Sequence, residues 1–192
     1  NCSGYFDMNL ETRIIRESFG VLILVSIISA AGGIGLQIIK EEIFTILPLL
    51  ILFPALNGMV GNFGAIFASR YTTLLYEKKV SQKKFMNKAL KEIYLQILKV
   101  SIIAAFYIST LSSVVSLMKG FEFDPVLYVK ILIITILTTI FLVTLMSFIS
   151  IGAGRYFVKK KEDPDNLLIP ITTAIADFGA MILFSLLVFF LL

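Results

Sequence analysis

Asp177 sits in IPITTAIADFGAMILFSLLVFFLL, from Ile169 to Leu192, a stretch that is otherwise almost wholly apolar. An ionised carboxylate at the centre of a bilayer costs about 3 kcal/mol or more. A group that expensive is by default a functional one, commonly part of an ion or proton pathway. The inert alternatives are a protonated, packed acid, or an acid bonded to the amide of Asn57 or Asn62. Thr173 lies four residues earlier, on the same helical face. Asn57 and Asn62 belong to a second apolar stretch, IFTILPLLILFPALNGMVGNFGAIFAS, with Gly58, Gly61 and Gly64 between and after them. An amide at membrane depth needs a partner or water, so it faces the bundle or a pathway. The glycines recur every three residues and suit close helix packing. Pro48 and Pro54 each remove a backbone donor and are expected to disturb this helix.

The donors on offer are all oxygens: carboxylate, amide, hydroxyl and freed carbonyl. The chain has no histidine, and Cys2 is its only cysteine. That excludes a disulfide framework, a thiolate site and the commonest general base. A cation handled by oxygen is magnesium, calcium or manganese rather than zinc or copper. An intramembrane aspartyl protease needs two acids sharing a proton, and one acid at depth does not supply them. The expected protein is therefore not an enzyme. One carboxylate does not neutralise a divalent ion, but a symmetric dimer brings two copies of Asp177 from one gene. Rings of acids select cations.

These residues need helices to hold them. The chain has 192 residues, of which 58% are hydrophobic and 16% charged, which is well beyond the usual apolar share of about 45–50% for a soluble domain. The charges collect between long uncharged runs. Lys and Arg so placed set orientation and touch anionic lipid, so the net charge of +4 does not point to nucleic acid. Spans of about 20 apolar residues are expected at 19–39, 43–69, 93–118, 131–154 and 166–192, after an N-terminal arm at 1–18. The fold class is an all-α membrane protein with five transmembrane helices per subunit in a 19–192 domain. The first residues lack the features of a signal peptide, and the chain opens on Asn1 rather than Met, as a trimmed chain would.

Five spans put the termini on opposite sides. Arg13 and Arg16 precede the first span. Arg70, Lys78, Lys79, Lys83, Lys84, Lys88 and Lys91 lie between the second and third, and Arg155, Lys159, Lys160 and Lys161 between the fourth and fifth. The other side has Lys40, Lys119 and Lys130. The positive-inside rule places the N-terminus in the cytoplasm and the C-terminus outside the cell membrane. The link at 76–92 is either an amphipathic helix on anionic lipid or a solvated extension whose charges set topology. SAAGGIG, from Ser29 to Gly35, reads as packing surface. Thr135, Thr138, Thr139, Thr144, Ser147 and Ser150 are able to bond back to their own helix and point only weakly to a pathway. Asp163 or Asp165 suits a helix cap, and Pro164 or Pro170 a first turn or a break.

PALNGMVGNFGAIFASRYTT, from Pro54 to Thr73, resembles the second-helix signature of the MgtE-type magnesium transporter family. DPDNLLIPITTAIAD, from Asp163 to Asp177, resembles its fifth-helix signature, and both look closest to the solute carrier family 41 branch. The resemblance covers nearly the whole chain. It implies a homodimer of five-helix subunits around a central cation pathway. The pore acid falls on Asp177, the small or hydroxylated position one turn earlier on Thr173, and the Gly-Asn pair on Gly61 and Asn62. Bacterial members carry a polar residue where this chain has Ile169, followed by Pro170. They also carry a cytoplasmic sensor that has no counterpart in these 192 residues, so its gating is not carried over.

The expected function is divalent cation transport, with Mg2+ as cargo and no resident cofactor, through a dimeric pore lined by the second and fifth helices. Asp177, Thr173, Asn62, Gly61 and Asn57 form the expected metal site. The alternatives are a sodium- or proton-coupled magnesium exchanger and a non-conducting membrane subunit.

Overall fold

The computed structural model describes residues 4–77, 87–160 and 164–192. The described residues are helical and contain no strand: α1 (Gly4–Ile38), α2 (Lys40–Thr45), α3 (Leu47–Tyr76), α4 (Lys88–Met118), α5 (Pro125–Lys160) and α6 (Pro164–Leu191). Most of the 76–92 link and Asp163 lie outside the described residues.

Among the described residues, four helices are long and apolar enough to cross a membrane: Leu47–Tyr76, Lys88–Met118, Pro125–Lys160 and Leu167–Leu191. A fifth apolar segment, Leu22–Ile38 in α1, is shorter. At 1.5 Å per residue it reaches about 25 Å, a little less than the roughly 30 Å hydrocarbon layer. The arm and this segment share one helix, since α1 begins at Gly4.

The second apolar stretch is divided. Lys40, Glu41 and Glu42 belong to the one-and-a-half-turn elbow α2, and the long helix starts at Leu47. Pro48 occupies the first turn of α3, where a missing N–H forfeits no helical bond. Pro54 does not break α3. It sits inside the unbroken helix and forfeits a single bond, to the Leu50 carbonyl. Pro170 is carried through α6 in the same way.

The other ends have local causes. The Asn87 side chain caps α4 by accepting the Leu90 N–H at 3.0 Å. α4 stops at Gly120, whose φ of +87° no β-carbon would favour. There the Phe121 N–H reaches the Ser116 carbonyl at 3.1 Å and the Gly120 N–H reaches Leu117 at 3.0 Å, a Schellman closure. Asp124 then accepts the Val126 N–H at 2.8 Å and starts α5.

α6 packs on α1, α3 and α5, which makes it the central helix of the bundle, while α4 closes the far side against α3 and α5. One buried cluster joins Leu49, Leu52, Leu56 and Val60 of α3 to Ile134, Leu142 and Met146 of α5 and Ala176, Ala180 and Phe184 of α6. A second, toward the other end, gathers Phe67, Tyr71, Ile97, Val143, Ile151 and Leu168. The α5 hydroxyls bond back to their own helix. Thr135, Thr138, Thr139, Thr144, Ser147 and Ser150 each donate to the carbonyl four residues back, at 2.7–2.8 Å. Thr144 also bonds the Tyr94 hydroxyl at 2.9 Å, and the other five are buried inside the bundle.

Candidate cation site

Asp177 lies on α6 about ten residues past Leu167, so roughly 15 Å into its apolar span. The carboxylate is half-buried between α1 and α3. Asn57 on α3 donates from Nδ2 to Oδ1 at 2.9 Å, the bond that the inert alternative for Asp177 calls for. Ser29 on α1 donates from Oγ to Oδ2 at 3.3 Å. Each carboxylate oxygen thus has one donor, from a different helix, and one side free.

The amide that holds Asp177 leaves a free acceptor of its own, because Asn57 Oδ1 is buried and has no hydrogen-bond partner. A buried amide oxygen left unpaired costs about 1–3 kcal/mol. The cost is recovered when a donor arrives, and water bound to a cation is such a donor, because its oxygen faces the ion and its hydrogens point outward. Thr173 is one turn before Asp177, and its hydroxyl donates to the Ile169 carbonyl at 3.0 Å. Having spent its hydrogen, Thr173 offers only lone pairs. The Ile169 carbonyl accepts from Thr172 as well, at 3.0 Å. The site is therefore a set of acceptors, suited to receiving hydrogens from a hydrated cation.

Gly61 faces α6 beside this cluster. A β-carbon there would lie 3.9 Å from Thr173 Cγ2 and from Ala176 Cβ, which is ordinary contact. The three glycines of α3 do not share a role. Gly64 is pressed against Met146, whose sulfur would stand 2.6 Å from an added Cβ, whereas Gly58 has nothing within 4 Å. At 100° per residue, positions 58 and 64 are about 120° apart, so spacing by three spreads round the helix. Asn62 is exposed on α3 and takes no part in the hydrogen bonds around Asp177. The structure thus brings together Asp177, Asn57, Thr173 and Gly61 and leaves Asn62 outside.

Ser29 joins the cluster unheralded. It belongs to the SAAGGIG run that reads as packing surface, and that run does pack. A β-carbon at Gly32 would lie 3.0 Å from Phe178 Cα, and one at Gly35 would lie 3.3 Å from Ile182 Cα. The missing side chains let α1 lie on the α6 backbone, with Ser29 one turn away. No group of three or more His, Cys, Asp or Glu side chains comes together among the described residues.

A helical multi-pass membrane protein with one half-buried acid among amide and hydroxyl acceptors belongs to the class of ion-handling membrane proteins. The family model for MgtE, a divalent cation transporter, matches residues 53–187. The chain therefore belongs to the MgtE divalent cation transporter family, a family of transporters rather than enzymes, and divalent cation transport is what membership implies. No curated protein matches the chain.

Proposed function

We propose that the chain transports Mg2+ as a homodimer, through a pathway lined by α3 and α6 with a pair of Asp177 carboxylates at its narrow point. The observation that carries this reading is the buried, unpartnered Oδ1 of Asn57 beside Asp177, since the Asn57–Asp177 bond by itself fits an inert, packed acid equally well. Mg2+ releases water reluctantly and is usually held through its water shell by one or two carboxylates. Acceptors without a third acid suit such an ion.

The second copy is supported by the surface of α3. A strip winding along it, Leu50, Pro54, Gly58, Asn62, Ile66 and Ser69, is exposed. Lipid gives the Asn62 amide no partner, and the open notch at Gly58 lets another backbone come close. A partner subunit or a water-filled pathway against this strip meets both conditions. The N-terminus is cytoplasmic in this proposal, by the Lys and Arg bias already described. An inward gradient of potential then moves the ion with about 4.6 kcal/mol per 100 mV, twice the single-charge value.

The test is Mg2+ uptake into liposomes carrying the purified chain, wild type against Asp177→Asn. The substitution keeps shape and removes charge. Uptake that rises with an inside-negative potential, and is abolished in a folded Asp177→Asn variant, is the expected result. Equal uptake by both overturns the assignment of Asp177. Uptake that requires a sodium or proton gradient replaces the passive pathway with an exchanger.

A further inference from the structure

We propose that Ser29 is a positioning residue for the cation site, holding the Asp177 carboxylate from α1 while α1 is seated on α6 by Gly32 and Gly35. This rests on the reading of Asp177 as the ion site.

The first support is how the chain's hydroxyls are spent. Serines and threonines in its apolar helices bond back to their own backbone. Ser26, one turn before Ser29, donates to the Leu22 carbonyl at 2.8 Å. Ser109 on α4, Thr135 on α5, and Thr172 and Ser185 on α6 do the same, at 2.6–2.9 Å. That local bond is always within reach of a helical serine. Ser29 instead sends its hydrogen to a carboxylate 148 residues away in the chain. A hydroxyl that leaves its own helix for a carboxylate has a partner able to form the stronger kind of hydrogen bond once the two come to about 2.5–2.7 Å.

The second support is the seam. α1 comes close to α6 at Gly32 and Gly35: an added Cβ would meet Met181 Sδ at 2.9 Å and Phe178 Cα at 3.0 Å at the first, and Ile182 Cγ1 at 3.2 Å and Ile182 Cα at 3.3 Å at the second. Gly32 opposes Phe178, the residue after Asp177. The seam therefore sets how far the Ser29 hydroxyl stands from Oδ2. At 3.3 Å the contact is longer than the 2.7–2.8 Å usual for O–H···O, so a small shift of α1 makes or breaks it.

The consequence is orientational. With Asn57 on Oδ1 and Ser29 on Oδ2, the carboxylate plane is fixed from two helices and its remaining lone pairs face one side. Without Ser29 the carboxylate swings about the single Asn57 bond and meets the ion's water shell less often. A hydrogen bond to a charged group, discounted for its length, corresponds to about a three- to tenfold loss of affinity.

The experiment is Mg2+ uptake by the whole chain in liposomes, read as the concentration for half-maximal uptake and the maximal rate separately. Detergent-purified protein is followed in parallel for stabilisation against heat by Mg2+ alone. The variants are Ser29→Ala, Ser29→Thr, Ser26→Ala, Gly32→Ala, the Ser29→Ala/Gly32→Ala pair, and Asp177→Asn. Ser29→Ala is expected to raise the half-maximal concentration about three- to tenfold with the maximal rate nearly kept. Ser29→Thr, which restores a hydroxyl on the same Cβ, returns it towards wild type, and Ser26→Ala leaves it unchanged. Gly32→Ala lifts α1 from Phe178 and weakens affinity, and the pair weakens it no further, because both changes remove one contact. Should Ser29→Ala not fold, Ser29→Cys keeps the size with a weak donor and carries the same reading.

Wild-type half-saturation in Ser29→Ala, with uptake lost in Asp177→Asn, overturns the role of Ser29 and leaves the ion site standing. Equal losses in Ser29→Ala and Ser29→Thr reduce Ser29 to a packing contact and overturn it too. Undiminished uptake and Mg2+ stabilisation in Asp177→Asn removes the site and this proposal with it.

Discussion

Replacing Asn57 with Asp puts a second acid against the first. Asn57 Nδ2 stands 2.9 Å from Asp177 Oδ1, so Asn57→Asp, with its shape kept, sets two carboxylate oxygens at that distance. Two unit charges 2.9 Å apart at an effective dielectric of about 20 repel by about 6 kcal/mol. The molecule has a cheaper way out, since protonating one ordinary carboxyl at pH 7 costs about 4 kcal/mol. The smaller figure is the one paid, and it is a large part of a typical stability of about 5–15 kcal/mol. For a chain of this size it corresponds to a melting temperature lower by about 8–16 °C. The sign with pH follows. Relief by proton uptake becomes cheaper by about 1.4 kcal/mol for each unit the pH falls, so the deficit shrinks to about 1 kcal/mol near pH 5. A divalent cation relieves it at pH 7, because it binds the folded pair and not the unfolded chain. The assay is thermal unfolding in detergent at pH 7 and pH 5, with and without millimolar Mg2+. The expected pattern is a low melting temperature at pH 7 that Mg2+ restores, and a smaller Mg2+ effect at pH 5. If Mg2+ stabilises Asn57→Asp no more than wild type at pH 7, the two side chains do not face one ion and the site is wrongly built.

Two further outcomes follow from other parts of the bundle. Asn62→Leu removes an amide that is exposed and makes no hydrogen bond to Asp177; the expected result is reduced Mg2+ uptake with an unchanged melting temperature, read by liposome flux and thermal unfolding. Tyr71→Phe removes the hydroxyl that donates to the Ile151 carbonyl at 3.1 Å; that carbonyl lies inside α5 and keeps its helical bond, so the expected cost is that of one ordinary hydrogen bond, about 0.5–1.5 kcal/mol in unfolding by heat, with uptake per folded molecule unchanged.

The helices were legible because each spans a long apolar run bounded by charge, Pro or Gly, and hydropathy reads such runs directly. Their boundaries were less so. The second apolar stretch hides an elbow, because Lys40, Glu41 and Glu42 are as helical in α2 as the residues beyond; only the extended Ile46 and the Pro48 turn divide them. Pro54 shows the limit of reading proline as a break, since one lost bond does not undo 30 residues of helix. In the site, Asp177 and Asn57 were legible from type alone: each is too polar for its depth and neither has a helical way to satisfy itself. Ser29 was not. A serine in an apolar helix has a local bond always available, so its residue type says nothing about where its hydrogen goes. Only the approach of α1 to α6, set by Gly32 and Gly35, decides it.

The bundle thus sorts its polar groups by whether they still have something to offer. Thr135, Thr138 and Thr139 of α5 bond back to their own helix and are fully buried, so their lone pairs face a packed interior. Around Asp177 the balance is different. Two donors, Asn57 Nδ2 and Ser29 Oγ, face one carboxylate, and what remains unspent is acceptor: the far side of the carboxylate, Asn57 Oδ1 and the Thr173 lone pairs. An excess of acceptors at membrane depth is unstable in lipid and stable beside a hydrated cation. In the proposed pathway the same excess lets one acid per chain suffice. A second acid on the same chain would bind the ion more tightly and hold it, as Asn57→Asp is expected to show, whereas conduction needs binding weak enough to release.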